Sequence, residues 1–168
     1  MKVQNESAPQ YINQNPMPAT LSAADDRAIN HAIAICQSRL IKYGHSFTSP
    51  DATRNYCLLK MSKLEAEQFD VLFLNNQNQL ISCETMFKGT IDGASVYPRE
   101  VVKRALMLNA AAVIFAHNHP SGICTPSAAD IAITRKLKDA MSLMDIRTLD
   151  HLIVGGTETY SFAESGLL

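Results

Sequence analysis

The sequence predicts an α/β domain built on a mixed β-sheet, and three observations carry that prediction. Two short runs, Phe-Asp-Val-Leu-Phe-Leu at 69–74, apolar but for Asp70, and Ala-Ala-Val-Ile-Phe-Ala at 111–116, apolar throughout, have the length and composition of buried strands. Segments with apolar residues at spacings of three and four alternate with such runs through the second half of the chain, as amphipathic helices do. The first apolar run is followed by an Asn/Gln-rich turn at 75–78 and a second strand-like run, Gln79–Phe87, which predicts an antiparallel pair.

Taken in order, residues 1–21 are rich in Asn, Gln, Pro and Ser, lack a hydrophobic period, and read as a flexible leader. A helical segment, 22–48, follows: Ile29, Ile33, Cys36 and Leu40 recur at helical spacing, and Lys42–Phe47, with Gly44, reads as a loop. Ser49-Pro50-Asp51 predicts a helix start, with Ser49 as N-cap and Pro50 at the first helical position, running to about Leu64. After the two paired strands, Lys88–Tyr97 is a loop with two glycines. Pro98 opens a helix whose apolar face includes Val101, Val102, Ala105, Leu106 and Leu108. The run 111–116 predicts a central strand. Pro126–Met144 is an amphipathic helix with Ile131, Ile133, Leu137, Met141 and Met144 apolar, and Leu149–Val154 and Thr159–Phe162 are the last strands, joined by Gly155-Gly156. About three helices are expected to pack on the core, in a chain of 168 residues that suits one domain.

Composition narrows the function. Fifteen Lys and Arg against sixteen Asp and Glu, a net charge of -1, leave no global basic footprint for nucleic acid, although a local patch is compatible with it. The clusters Arg99, Lys103, Arg104 and Arg135, Lys136, Lys138 read as solvated helix faces. Four scattered cysteines without a Cys-x-x-Cys pair, and no signal-peptide pattern, point to a reducing, cytoplasmic setting. No apolar run approaches the ~20 residues that cross a bilayer, so no membrane partner is expected. The composition is silent on oligomeric state.

The chemistry concentrates in His117-Asn118-His119-Pro120-Ser121-Gly122, followed by Pro126-Ser127 and Asp130. Extended backbone sends alternate side chains to one face, so His117 and His119 can address a single atom, and Asp130, inside the next helix, can close a third side. Three N/O ligands with an open fourth position are the pattern of a catalytic zinc. His-x-His alone is weak, and an Asp in a first helical turn is favoured by the dipole without any metal; three such residues in fourteen positions are a far more specific signal. A hydrolytic zinc also needs a general base. Glu67 before the first strand, Glu84 within the second and Glu100 in a first helical turn all qualify. His151 is a candidate hydrogen-bond partner for a ligand carboxylate, with a plain strand-end role as the alternative. Cys124 reads as an ordinary loop thiol, His31 and His45 as surface or structural residues, and Phe69, Phe73, Phe87 and Phe115 as core.

The pattern His-Asn-His-Pro-Ser-Gly…Pro-Ser-x-x-Asp resembles the JAMM motif of MPN/JAB-type zinc metalloproteins. The flanking Phe87-x-Gly-Thr-Ile-Asp…Ser-Val-Tyr-Pro-Arg-Glu-Val-Val and Leu149-Asp-His-Leu-Ile-Val-Gly resemble the bacterial RadC family and its shorter, prophage-type relatives. The likeness runs roughly from Ser49 to Phe162. It implies an MPN/JAB-like (cytidine deaminase-like) domain over 49–168, with one Zn2+ per chain held by His117, His119 and Asp130. It also implies Glu67 as the base, with Glu65 two residues away in a slipped register, and Ser127 as donor to a tetrahedral oxyanion. The activity implied is metal-assisted hydrolysis of a peptide or isopeptide bond in a peptide or protein partner. The alternatives are a DNA-associated protein or metal-dependent nuclease, in line with the family's DNA-repair name, and a non-catalytic MPN scaffold. Full-length RadC proteins carry an N-terminal region resembling helix-hairpin-helix modules; no hairpin with a glycine at its tip is visible in Ser22–Phe47, which weakens the nucleic-acid reading.

Overall fold

The apolar run before the histidines forms the centre of a five-stranded sheet. In the computed structural model, residues 22–42, 50–89 and 96–168 are described. They form α1 (Ala23–Lys42), α2 (Pro50–Met61), β1 (Gln68–Leu74), β2 (Leu80–Lys88), α3 (Pro98–Met107), β3 (Ala112–Asn118), α4 (Ala128–Ser142), β4 (Arg147–Gly155) and β5 (Glu158–Ser161). The strand order is β2-β1-β3-β4-β5. Only β3 and β4 run parallel; the other neighbours are antiparallel, including the predicted β1–β2 pair. The result is the predicted mixed sheet flanked by helices, consistent with an MPN/JAB-like α/β fold. The leader 1–21, the loop around Gly44 with His45 and Ser49, and most of the loop after Lys88 lie outside the described residues.

Alternation along each strand divides the core into two layers. Leu72, Leu74, Ala112, Ile114, Ala116, Leu152 and Val154 face α2 and its Tyr56, Cys57 and Met61, with Ile33 and Cys36 of α1 packed beside them. Phe69, Val71, Phe73, Val113 and Phe115 face Val101 and Ala105 of α3 and Leu137 and Met141 of α4. On the α2 side one ion pair interrupts this apolar packing. Asp70 is buried in β1, with Lys60 Nζ 2.6 Å from its Oδ2 and Gln68 Nε2 donating to its Oδ1 at 2.8 Å. A buried carboxylate is tolerable only with such compensation.

Several boundaries differ from the sequence reading for identifiable reasons. Helix α2 stops at Met61, not Leu64; beyond it Leu64 N donates to Met61 O in a tightened last turn, and the carbonyls of Leu64 and Ala66 accept from the Asn118 carboxamide (3.3 and 3.2 Å). Strand β3 extends through Asn118, so His117 belongs to the sheet. Helix α4 starts after Ser127, not at Pro126, because Ser127 and Asp130 form a reciprocal capping box. Its inward stripe is Asp130, Thr134, Leu137 and Met141, whereas Met144 is exposed, as is Leu106 on α3. Strand β4 begins earlier, at Arg147, and Phe162 lies just past β5.

The loop after β3 is seated on β4. The His119 amide donates to Val154 O at 2.8 Å, extending the β3–β4 ladder by one bond. The turn that follows passes through Gly122 at φ +80, a conformation in which a Cβ is strained. The loop then lies against Gly155, where an added Cβ would stand 2.5 Å from Cys124 N, 2.7 Å from Ile123 C and 2.9 Å from Gly122 O. All three are backbone atoms and cannot rotate away. Gly155→Ala is therefore expected to lower stability by about 1–3 kcal/mol, the usual cost of overpacking, as read by chemical denaturation.

Candidate metal centre

His117 ends β3 on the face shared by Val113 and Phe115, the face covered by α4, and is 1% exposed. His119 follows at the strand exit with 17% of its side chain accessible. Asp130, 1% exposed, comes from the first turn of α4, held there by Ser127. The Ser127 amide and hydroxyl both donate to Asp130 Oδ2 at 2.7 Å, and the Asp130 amide donates back to Ser127 Oγ at 3.2 Å. Glu67 arrives from the opposite direction. It immediately precedes β1, whose antiparallel register sets Phe69 against His117, and its own carbonyl accepts from the Gly89 amide at 2.8 Å.

These four side chains converge. Each offers one ligand atom, and the four atoms lie within 4.8 Å of one another. His117 Nε2 is 3.0 Å from His119 Nε2 and 3.2 Å from Asp130 Oδ1, and His119 Nε2 is 3.4 Å from Asp130 Oδ2. A tetrahedral zinc with bonds of about 2.0–2.1 Å keeps its ligand atoms roughly 3.3 Å apart, so the spacing fits that ion. The donor set fits too. His119 Nδ1 must donate to the Ile123 carbonyl, 2.7 Å away, which leaves Nε2 to present a lone pair inward. Asp130 Oδ1 is buried and accepts no hydrogen bond. Burial raises the Asp130 carboxyl, while the Ser127 hydroxyl and amide donate to it and favour the anion. The positive end of α4 favours the same charge state. An anion and lone pairs gathered where His117 and Asp130 are almost wholly buried are the environment a cation completes.

Of the other carboxylates, Glu84 is bound by both Arg104 Nε and Nη2 at 2.7 Å, Glu100 lies half-exposed beside Arg99, and Glu65 is exposed. None joins the cluster, and neither does Cys124, a free thiol. His31 is exposed.

Three residues that were ambiguous or unread in the sequence surround the cluster. Asn118, 2% exposed, points to the face opposite the two histidines. Its Oδ1 accepts the Gln68 amide at 2.9 Å while its Nδ2 reaches Leu64 O and Ala66 O, so it clamps the stretch that carries Glu67. His151 contacts the ring of His117, not a carboxylate: its Nε2 lies 2.8 Å from His117 Nδ1. It is fully buried among Phe69, Phe115 and Phe162, and burial together with His117 keeps its pKa well below the ordinary imidazole value. Thr134, one turn along α4 from Asp130, stands at His151 Nδ1. The signal for Asn118 was its position between two histidines in a strand; for Thr134, its i+4 spacing from Asp130.

Residues 47–167 match the family described as RadC-like JAB domain. The chain is 54% identical over 153 residues to the UPF0758 protein YfjY of Escherichia coli (strain K12), covering 91% of this chain and 96% of that protein. It is 56% identical over 140 residues to UPF0758 protein YeeS of the same organism, covering 83% and 95%. Against a UPF0758 protein of Cellvibrio japonicus (strain Ueda107) it is 59% identical over 128 residues, 76% of this chain but 57% of that protein. With a model match across most of its length and relatives above half identity, the chain belongs to the RadC-like JAB domain family.

Proposed function

We propose that this protein is a zinc-dependent hydrolase of the JAMM type, cleaving a peptide or isopeptide bond in a peptide or protein substrate. The observation that carries the reading is the convergence of Glu67, His117, His119 and Asp130 within 4.8 Å in a pocket where two of the four are almost wholly buried. His117, His119 and Asp130 would hold one Zn2+. When bound, zinc lowers the pKa of water from 15.7 toward about 7. Glu67 takes the proton released and passes it to the departing amine. Ser127 serves the tetrahedral oxyanion. Its oxygen is fixed by the Asp130 amide, so turning the hydroxyl from Asp130 Oδ2 toward substrate needs rotation about one bond.

A non-catalytic scaffold is disfavoured by the cost of keeping a carboxylate and two imidazoles in a buried cluster with no ion to balance them. Nucleic-acid binding finds little support in surface charge: Arg104 is already spent on Glu84. Among the described residues no helix is long and apolar enough to cross a membrane. All four cysteines are free, which supports placing the protein in the reducing cytoplasm. The division into a leader at 1–21, a helical segment at 22–48 and a domain at 49–168 draws support from the family match starting at 47.

Two measurements test the proposal. Elemental analysis of protein purified without a His tag should give about one zinc per wild-type chain and none in His119→Ala; metal-free wild type after zinc is added back would remove the basis for catalysis. Glu67→Gln should retain its zinc while hydrolysis across a panel of peptide and isopeptide substrates falls ~10²–10⁴-fold, the usual worth of a general base. Full activity in that variant would disqualify Glu67.

A further inference from the structure

The His117 ring is held from behind by a chain of hydrogen bonds whose proton positions follow from distance and burial. Thr134 Oγ1 lies 2.5 Å from the Asp130 carbonyl oxygen and 2.5 Å from His151 Nδ1. Two bare oxygens repel at that separation, so the single Thr134 proton must point at the carbonyl. The hydroxyl oxygen is then an acceptor, and His151 Nδ1 must carry the proton that it accepts. His151 is sealed among three phenyl rings and 0% exposed, where an imidazolium would be costly, so it has no second N–H. Its Nε2 is therefore an acceptor, and the donor 2.8 Å away is His117 Nδ1–H. The last consequence concerns His117 itself: with its proton committed to Nδ1, the nitrogen aimed at His119 and Asp130 is Nε2.

The geometry points to His151 and Thr134 as positioning residues of the metal centre, a relay that dictates which nitrogen of His117 faces the ion and ties that ring to the backbone of Asp130. The inference rests on the metal-centre reading for its purpose, though not for its proton assignment. The relay closes a circuit. Asp130 offers its carboxylate to the centre and its carbonyl to Thr134; Thr134 accepts from His151, and His151 from His117, which returns to the centre 3.2 Å from Asp130 Oδ1. Two ligands from different elements are thereby coupled without touching solvent. A ligand imidazole whose remote N–H has a fixed acceptor is held in orientation and made more basic, and loss of such a partner typically weakens metal binding roughly 10–100-fold.

The test uses His151→Phe, which keeps an aromatic ring among Phe69, Phe115 and Phe162 while deleting both nitrogens. Thr134→Val and Thr134→Ser form the companion pair. Zinc affinity is read by competition with a chromophoric chelator, and the His117 tautomer by ¹⁵N chemical shifts of the metal-free protein. The expected result is a folded His151→Phe with zinc bound roughly 10–100-fold more weakly. Thr134→Val should weaken zinc to a lesser degree, Thr134→Ser should restore it, and His117 should be protonated at Nδ1 in wild type. Loss of thermal stability in folded variants without any change in zinc affinity or tautomer would reduce His151 to a packing residue and overturn the proposal. A wild-type His117 carrying its sole proton on Nε2 would overturn it as well. Should wild type bind no zinc at all, the hydrolase reading fails by itself, and the tautomer measurement still decides the relay.

Discussion

The parallel pairing of β3 with β4 is the constraint on which the site depends. Parallel neighbours cannot be joined by a tight turn; the chain must travel back along the sheet, and here α4 makes that journey. The crossover brings the start of α4 beside the strand end from which the chain has just departed. His117 and His119 are at that end, and Asp130 is in the first turn of that helix. Three groups separated by at most thirteen positions thus meet because of topology, and the loop between them needs only to turn at Gly122 and lie flat on Gly155. The antiparallel approach of β1 on the other side of β3 brings in the fourth group, with Phe69 opposite His117 and Glu67 just before it.

Burying a carboxylate and an imidazole at 1% exposure is unfavourable unless each polar atom is compensated. The helix start compensates Asp130 with two donors from Ser127 and the local dipole, and those interactions occupy Oδ2 while Oδ1 remains directed at the histidines. His117 is compensated by His151, and His119 by the Ile123 carbonyl. The outward-facing edge of each ligand is therefore used to lock its position, and its inner edge is left for the centre. Ordinary capping chemistry and strand-end hydrogen bonds have in this way produced a rigid set of donors without a dedicated cage.

Legibility in the sequence followed the physics of the patterns. The strands 69–74 and 111–116 were legible because fully buried strands are nearly continuous apolar runs, broken here only by Asp70, and the β1–β2 pair because its turn is rich in Asn and Gln. The convergence of His117, His119 and Asp130 was legible because period-2 alternation and a helix start are local rules. The inward face of α4 was legible in part: Ile133, Leu137 and Met141 of its apolar count pack on the core, whereas Met144 is exposed. What an apolar count omits is the start of the stripe, Asp130 and Thr134, two polar residues whose partners lie on β3 and β4. No local rule reports that. The role of Asn118 was likewise illegible, because the Leu64 and Ala66 carbonyls it holds lie more than fifty residues away. Composition and spacing left Glu67, Glu84 and Glu100 open, and only the family resemblance favoured Glu67; it is the register of β1 against β3 that brings Glu67 to the cluster.

The tripeptide 117–119 shows why the residue between two ligands need not be a spacer. Alternation sends His117 toward α4 and Asn118 toward the α2 layer. The histidine joins the ligand circuit through His151 and Thr134. The asparagine holds the backbone of Leu64, Ala66 and Gln68, the residues on either side of Glu67. One strand end thus references both the ligands and the proposed base to the same rigid backbone, although His117 and Asn118 point into opposite layers of the domain. An apolar residue at 118 would pack as well in a strand, yet it would leave the buried Gln68 amide without a partner, at about 1–3 kcal/mol, and would free the Leu64 and Ala66 carbonyls. It would also release the segment whose placement decides whether Glu67 stands within reach of the centre. The precision of the site rests on this double use of one strand, with alternate side chains serving different layers for the same end.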